Sequence, residues 1–193
     1  MLNDPFMNRI WIPVSLWILL YTSDYLLTIA GARMYATGAR EHFEYPGGYE
    51  LNPYFAQDVA RLQWFSFRFV MALILYGGLL LACSIAWREL FALSWGFLIF
   101  PLLVIIVRHV RNVVFFYHVK RTDGVQGRVC VAHWLSLRSS AAEWFSFGVV
   151  FLFLYLLTAS LPVAGGAIGC MFHGIRSTRS SVKSRSAQPI SNL

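Results

Sequence analysis

The chain reads as an all-α integral membrane protein, a bundle of four spanning helices. Hydrophobic residues fill 58% of its 193 positions, only 13% are charged, and the mean hydropathy is +0.57. The apolar residues also come in blocks of the ~20 residues that a helix needs to cross a bilayer, where a soluble domain would interleave them with charge. Finally, the net charge of +7 is gathered in one loop and in the C-terminal tail. Anionic headgroups are the natural partners of such clusters. No folded recognition motif carries these cations, which argues against nucleic acid as a partner.

A single membrane domain is expected over residues 1–172, followed by a disordered basic tail over 173–193 that is rich in Ser, Arg and Lys. The first span covers about 10–30. Ala30-Gly31-Ala32 has the small residues of a leader cleavage site, but the lead before the span is barely basic and Asp24 interrupts the apolar run, so a retained span is expected. Residues 31–61 form the most polar loop, broken by Pro46-Gly47-Gly48. Asn52 is pushed out of the α region by Pro53, so a short interfacial helix is expected from Pro53 into the second span at 62–87. Only Arg88 and Glu89 separate that span from the third, at 90–107, whose helical pattern extends to 119. A basic loop then leads to a fourth span at 141–171, with a kink expected at Pro162.

With four spans the N-terminus, the Arg88 turn and the tail share one side. That side carries six Lys and Arg and the opposite side seven, a difference on which the positive-inside rule barely acts. Trp64-Phe65-Ser66-Phe67 recurs 80 residues later as Trp144-Phe145-Ser146-Phe147, an echo that fits two parallel helical-hairpin repeats.

The first span carries the most informative polar residues. Tyr21, Asp24, Tyr25 and Thr28 fall at i, i+3, i+4 and i+7, one stripe on a helix. A carboxylate there costs roughly 2.5–3.5 kcal/mol at mid-membrane, so it should meet a partner or water. Arg68 lies as far inside the second span as Asp24 lies inside the first, which predicts an Asp24–Arg68 ion pair in an antiparallel hairpin. Glu50 and Asn52 could cap the site from the loop. Arg108, His109, Arg111 and Glu143 lie at the same level in spans three and four, with Glu143 placed to pair with Arg108 or Arg111.

Metal and cofactor sites are not expected. Glu41, His42, Glu44, Glu50 and His109 show no metal-ligand spacing, and His109 and His118 do not form the facing pair that a haem requires. The cysteines Cys83, Cys130 and Cys170 match no disulfide pattern. Gly165 and Gly169 make a GxxxG step, which suits close helix packing within the bundle or a homo-oligomer contact.

Asp24-x-x-x-Thr28, a Gly-containing loop and Glu50-Leu51-Asn52-Pro53 together resemble a family of small bacterial and archaeal multi-span proteins of unknown function. The resemblance covers residues 20–55 and nominates Asp24, Thr28, Glu50 and Asn52. The leading functional expectation is a small polytopic protein, more a binder than an enzyme, with a polar site that binds or passes a small solute or supports a membrane complex. The rivals are an intramembrane enzyme using Asp24 or Glu50 as acid or base, and a purely structural subunit.

Overall fold

Among the described residues, five long helices carry the architecture: α1 (Trp11–Thr37), α3 (Phe67–Ala86), α4 (Arg88–Thr122), α5 (His133–Thr158) and α6 (Leu161–Ser186). The computed structural model describes residues 9–45, 48–122, 125 and 127–186. A 3-10 turn (Ala39–Glu41), the short helix α2 (Ala56–Ala60) and two two-residue strands, β1 (Phe43–Glu44) and β2 (Val129–Cys130), complete the all-α chain. Four of the helices, α1, α3, α4 over Arg88–Val119, and α5, are long and apolar enough to cross a membrane.

Local sequence sets the breaks. Ser66 caps α3, its hydroxyl accepting from the Arg68 and Phe69 amides, so the helix starts at Phe67 and not at 62. Trp87 is extended and turns α3 directly into α4. The expected fourth span at 141–171 is corrected to two helices. Ala159 adopts left-handed φ 50°, and Pro162 follows in the first turn of α6, where a missing N–H breaks no helical bond. What looks like a kink is therefore a reversal. Ser181 donates to the Trp134 carbonyl at 2.7 Å and Trp144 stacks on His173, so α6 runs back along the whole of α5. The tail expected to be disordered is helical through Ser186; residues 187–193 lie outside the described residues.

The aromatic echo is not a structural repeat. Ser66 is a helix cap in a turn, whereas Ser146 lies inside α5 and donates to the Ala142 carbonyl. The segment at Pro53 is likewise a turn, with helix only from Ala56.

α4 is the central helix. It packs against α1, α3 and α6, while α5 lies outside on α6. Trp17, Leu80, Phe91, Trp95 and Ile99 form the core where α1, α3 and α4 meet, and Val104, Trp144 and Cys170 form a second one around α6. Leu79, Phe153, Leu156 and Leu157 face outward, a surface suited to lipid. β1 and β2 pair in parallel and tie the two long loops together at one end of the bundle.

The small-residue steps serve contact within the chain. A Cβ on Gly165 would fall on the Leu93 carbonyl, and one on Gly96 on the Pro162 carbonyl. Gly169 faces Phe97 and Pro101 in the same seam. Of the two uses open to the Gly165–Gly169 step, packing within the bundle is the one seen: α4 covers it, and Cys170 beside it is fully buried. Gly165→Ala should destabilise the protein by about 1–3 kcal/mol, the usual cost of overpacking. Gly78→Ala, into open space, should be neutral or stabilising by about 0.5–1 kcal/mol; unfolding of both variants in mild detergent measures the contrast.

Candidate functional site

Asp24 lies midway along α1, 13 residues before its end at Thr37, and the helix presents it to α4. There His109 meets it, Nε2 standing 3.3 Å from Asp24 Oδ1 and 3.0 Å from Thr28 Oγ1. Thr28 donates its own hydroxyl proton to the Asp24 carbonyl one turn back, at 2.9 Å. Its oxygen is therefore an acceptor for the imidazole, which places the ring proton on Nε2. Nδ1 is left buried with no hydrogen-bond partner among the described residues. Asp24 Oδ1 is also buried without a donor in hydrogen-bonding alignment among the described residues, so the Asp24–His109 contact is a close approach and the carboxylate keeps acceptor capacity.

The predicted Asp24–Arg68 pair is not formed. Its premise was matched depth, but α1 runs on beyond 30 and Arg68 is the second residue of α3, at the bundle end. Arg68 instead reaches Asp58 at 3.6 Å, Gln57 Oε1 at 3.1 Å and the Tyr54 carbonyl at 3.2 Å. Asp58, which also accepts from the Ser66 hydroxyl, was not singled out in the sequence. An acid in the short helix that precedes the Ser-capped start of α3 was the available signal. This cluster seats α2 against the start of α3 and is architectural.

The loop delivers Glu50 and Asn52 to the other side of the site. The Asn52 amide donates to Glu50 Oε1 at 2.6 Å, and Asn52 Oδ1 accepts from the Tyr54 amide at 3.2 Å, so the segment holds its own shape. Burial, helped by Asp24, pushes the Glu50 carboxyl above its ordinary range; the Asn52 amide, His109 and Arg108 oppose the shift without cancelling it. Tyr49, packed over Gly31, is pushed up to about 12 by burial and by Glu50 and Tyr45.

Arg108 and Glu143 pair as expected, Nη2 to Oε2 at 2.7 Å, while Nη1 donates to Ser140 and the guanidinium lies over Trp144. Arg108 Nε is buried without an acceptor. Tyr21 stacks between Trp17 and Phe69 and faces the cavity, whereas Tyr25 donates to the Gln63 carbonyl at 2.8 Å and anchors the loop. Arg111 is exposed and lines no part of the site.

These groups surround two neighbouring cavities of about 680 and 240 Å³ that share part of their lining. Asp24 and Thr28 line the larger, Arg108 and Ser140 the smaller, and Glu50, Asn52, His109, His173 and Arg176 border both. His173 and Arg176 sat in the expected tail, so sequence reasoning missed them. No three His, Cys, Asp or Glu among the described residues converge as metal ligands.

Because Glu50 favours its protonated form when folded, stability associated with it is present at low pH and lost as pH rises above the ordinary carboxylate value. Glu50→Gln, which keeps the acceptor for Asn52, should raise the melting temperature at pH 7 and lose that advantage near pH ~4.5. Arg108→Met should cost about 1–3 kcal/mol by stranding the partly buried Glu143, and Arg108→Met with Glu143→Leu should recover most of it. Compared with known protein families, curated proteins and solved structures, the chain matches none.

Proposed function

We propose that the chain is an integral membrane protein that binds a small solute in the cavity between α1, α4, α6 and the Glu50–Asn52 loop. One observation carries this reading: the imidazole of His109, the carboxyl groups of Asp24 and Glu50, and the guanidinium of Arg108 line two neighbouring cavities, while His109 Nδ1, Asp24 Oδ1 and Arg108 Nε have no hydrogen-bond partner among the described residues. Buried polar atoms left without partners cost about 1–3 kcal/mol each, a cost that a bound ligand would offset. A purely structural pair would satisfy its own atoms, as Arg68 does with Asp58, Gln57 and Tyr54.

The return of α6 bears on orientation. With α6 crossing back, Arg176, Arg179, Lys183 and Arg185 join the long loops, so that side holds eleven Lys and Arg against Arg9 and Arg88 on the other. By the positive-inside rule the site opens toward the cytoplasm.

A second reading is favoured by the His109 ring itself. An imidazole held at Nε2 by Thr28 and faced by Asp24, with Nδ1 without a hydrogen-bond partner among the described residues, is a base with an orienting partner, the arrangement of general-base catalysis. In that case Asp24→Asn would abolish turnover and leave ligand affinity within a few-fold.

Cysteine labelling in sealed vesicles, in a background without Cys83, Cys130 and Cys170, tests both claims. A charged maleimide should react with Asn52→Cys in the cavity and not with Leu79→Cys on the lipid face. Arg40→Cys and Lys183→Cys should label from one side and Trp87→Cys from the other. An inert Asn52→Cys removes the solute site; labelling of residues 40 and 183 from opposite sides removes the orientation.

A further inference from the structure

The two cavities differ in character in a way that specifies the ligand. The larger one is apolar over most of its length, walled by Trp17 on α1, Leu75 on α3, and Phe97, Leu98 and Leu102 on α4. Tyr21 and Tyr76 also line it, and its most polar part is where Asp24, Thr28, His109 and Glu50 gather. From Phe97 to His109 the axis of α4 advances about 18 Å, close to the ~15 Å depth of one bilayer leaflet. Among the described residues, α6 makes no extended contact with α1 or α3, so the cleft over α4 opens sideways, where lipid would lie. A water-soluble solute has no use for such a wall.

The smaller cavity is of the opposite kind. Arg108, Arg176, His109, His173, Ser140 and Ser177 all line it. Glu143 engages Arg108 at Nη2 but leaves Nε buried and unpartnered, and Arg176 forms no ion pair among the described residues. Two guanidinium groups flanked by imidazole and hydroxyl groups suit a phosphate, which takes several donors at once. Asp24 is already faced by His109, and burial favours the protonated Glu50, which would donate to a phosphate instead of repelling it.

We propose that the ligand is a membrane amphiphile, with a phosphate-bearing head between Arg108 and Arg176 and one apolar chain lying along α4 toward Phe97. This rests on the ligand-site reading above and adds the ligand's class. The head lies at the bundle end that carries the basic loops, so the ligand would enter from that leaflet.

The test uses the full chain in mild detergent, with binding followed by tryptophan fluorescence and by thermal unfolding. Three probes separate the sources: a C16 monoacyl glycerol phosphate, glycerol 3-phosphate, and the corresponding neutral monoacylglycerol. The acyl phosphate should bind at least about tenfold more tightly than either of the others, the scale of one charge-assisted contact or of several buried methylenes. Arg176→Gln, at an exposed position, should lower affinity for the acyl phosphate about tenfold and leave the neutral probe unchanged. His173→Gln is the second head variant should the first fail to fold. Leu75→Trp should obstruct the chain, and Leu79→Trp, outside the cleft, should not.

Equal binding of glycerol 3-phosphate and the acyl phosphate would overturn the amphiphile and leave a soluble-anion site. Unchanged acyl phosphate binding in both Arg176→Gln and Leu75→Trp would mean partitioning into the detergent belt, and would overturn the proposal. If no probe binds while the thiol of Asn52→Cys reacts, this inference falls and the solute site stands; if that thiol is inert as well, both fall.

Discussion

A carboxylate on an otherwise apolar helix must be compensated, and in this chain His109 is what faces Asp24. That contact brings the midpoint of α1 against the second half of α4, with Thr28 one turn on accepting from the same imidazole. Much of the site follows from this placement. Once α1 and α4 are registered by Asp24 and His109, the apolar side chains below them, Trp17, Trp95 and Ile99, interlock as a core, and the loop after α1 is carried back over the top of the pair.

The bundle solves a second problem by backbone proximity. α4 and α6 approach until Gly96 and Gly165 each face a carbonyl of the other helix, a separation that excludes even a methyl group. This seam brings His173 and Arg176 to the level of Arg108 and His109. The polar groups of α6 are therefore consequences of packing, and their chemistry is available only because small residues two turns earlier permit the approach. On the opposite side, among the described residues, no equivalent seam joins α6 to α1 or α3, and the resulting cleft is where the cavity lies. Close contact on one flank and its absence on the other are the two conditions for the site.

The charged residues divide into those that satisfy one another and those that do not. Arg68, Asp58, Gln57 and Ser66 form a closed local cluster, as expected of groups that hold a loop in place. Asp24, His109, Glu50 and Arg108 interact but leave buried atoms open, and they do so around empty volume. The distinction between architecture and site lies in this difference in saturation, which neither residue type nor depth conveys.

The sequence by itself determined the helical class, the apolar blocks, a pairing of Glu143 with either Arg108 or Arg111, and most of the first-helix stripe. These are local or depend only on composition and period: a run of Leu, Ile and Phe makes a helix wherever it lies, and Asp24 and Thr28 share a face by spacing alone. Tertiary structure decided the partners. Depth counted from assumed span ends assigned Arg68 to Asp24, but α1 continues past its apolar segment and α3 begins later because Ser66 caps it, so the matching levels never existed. A left-handed Ala159 turned one expected span into a hairpin, since a single residue's φ reverses a chain while leaving its hydropathy unchanged. That reversal carried Arg176 and His173 out of the expected tail and into the site. It is an outcome of long-range packing between α4, α5 and α6 that no window along the sequence contains.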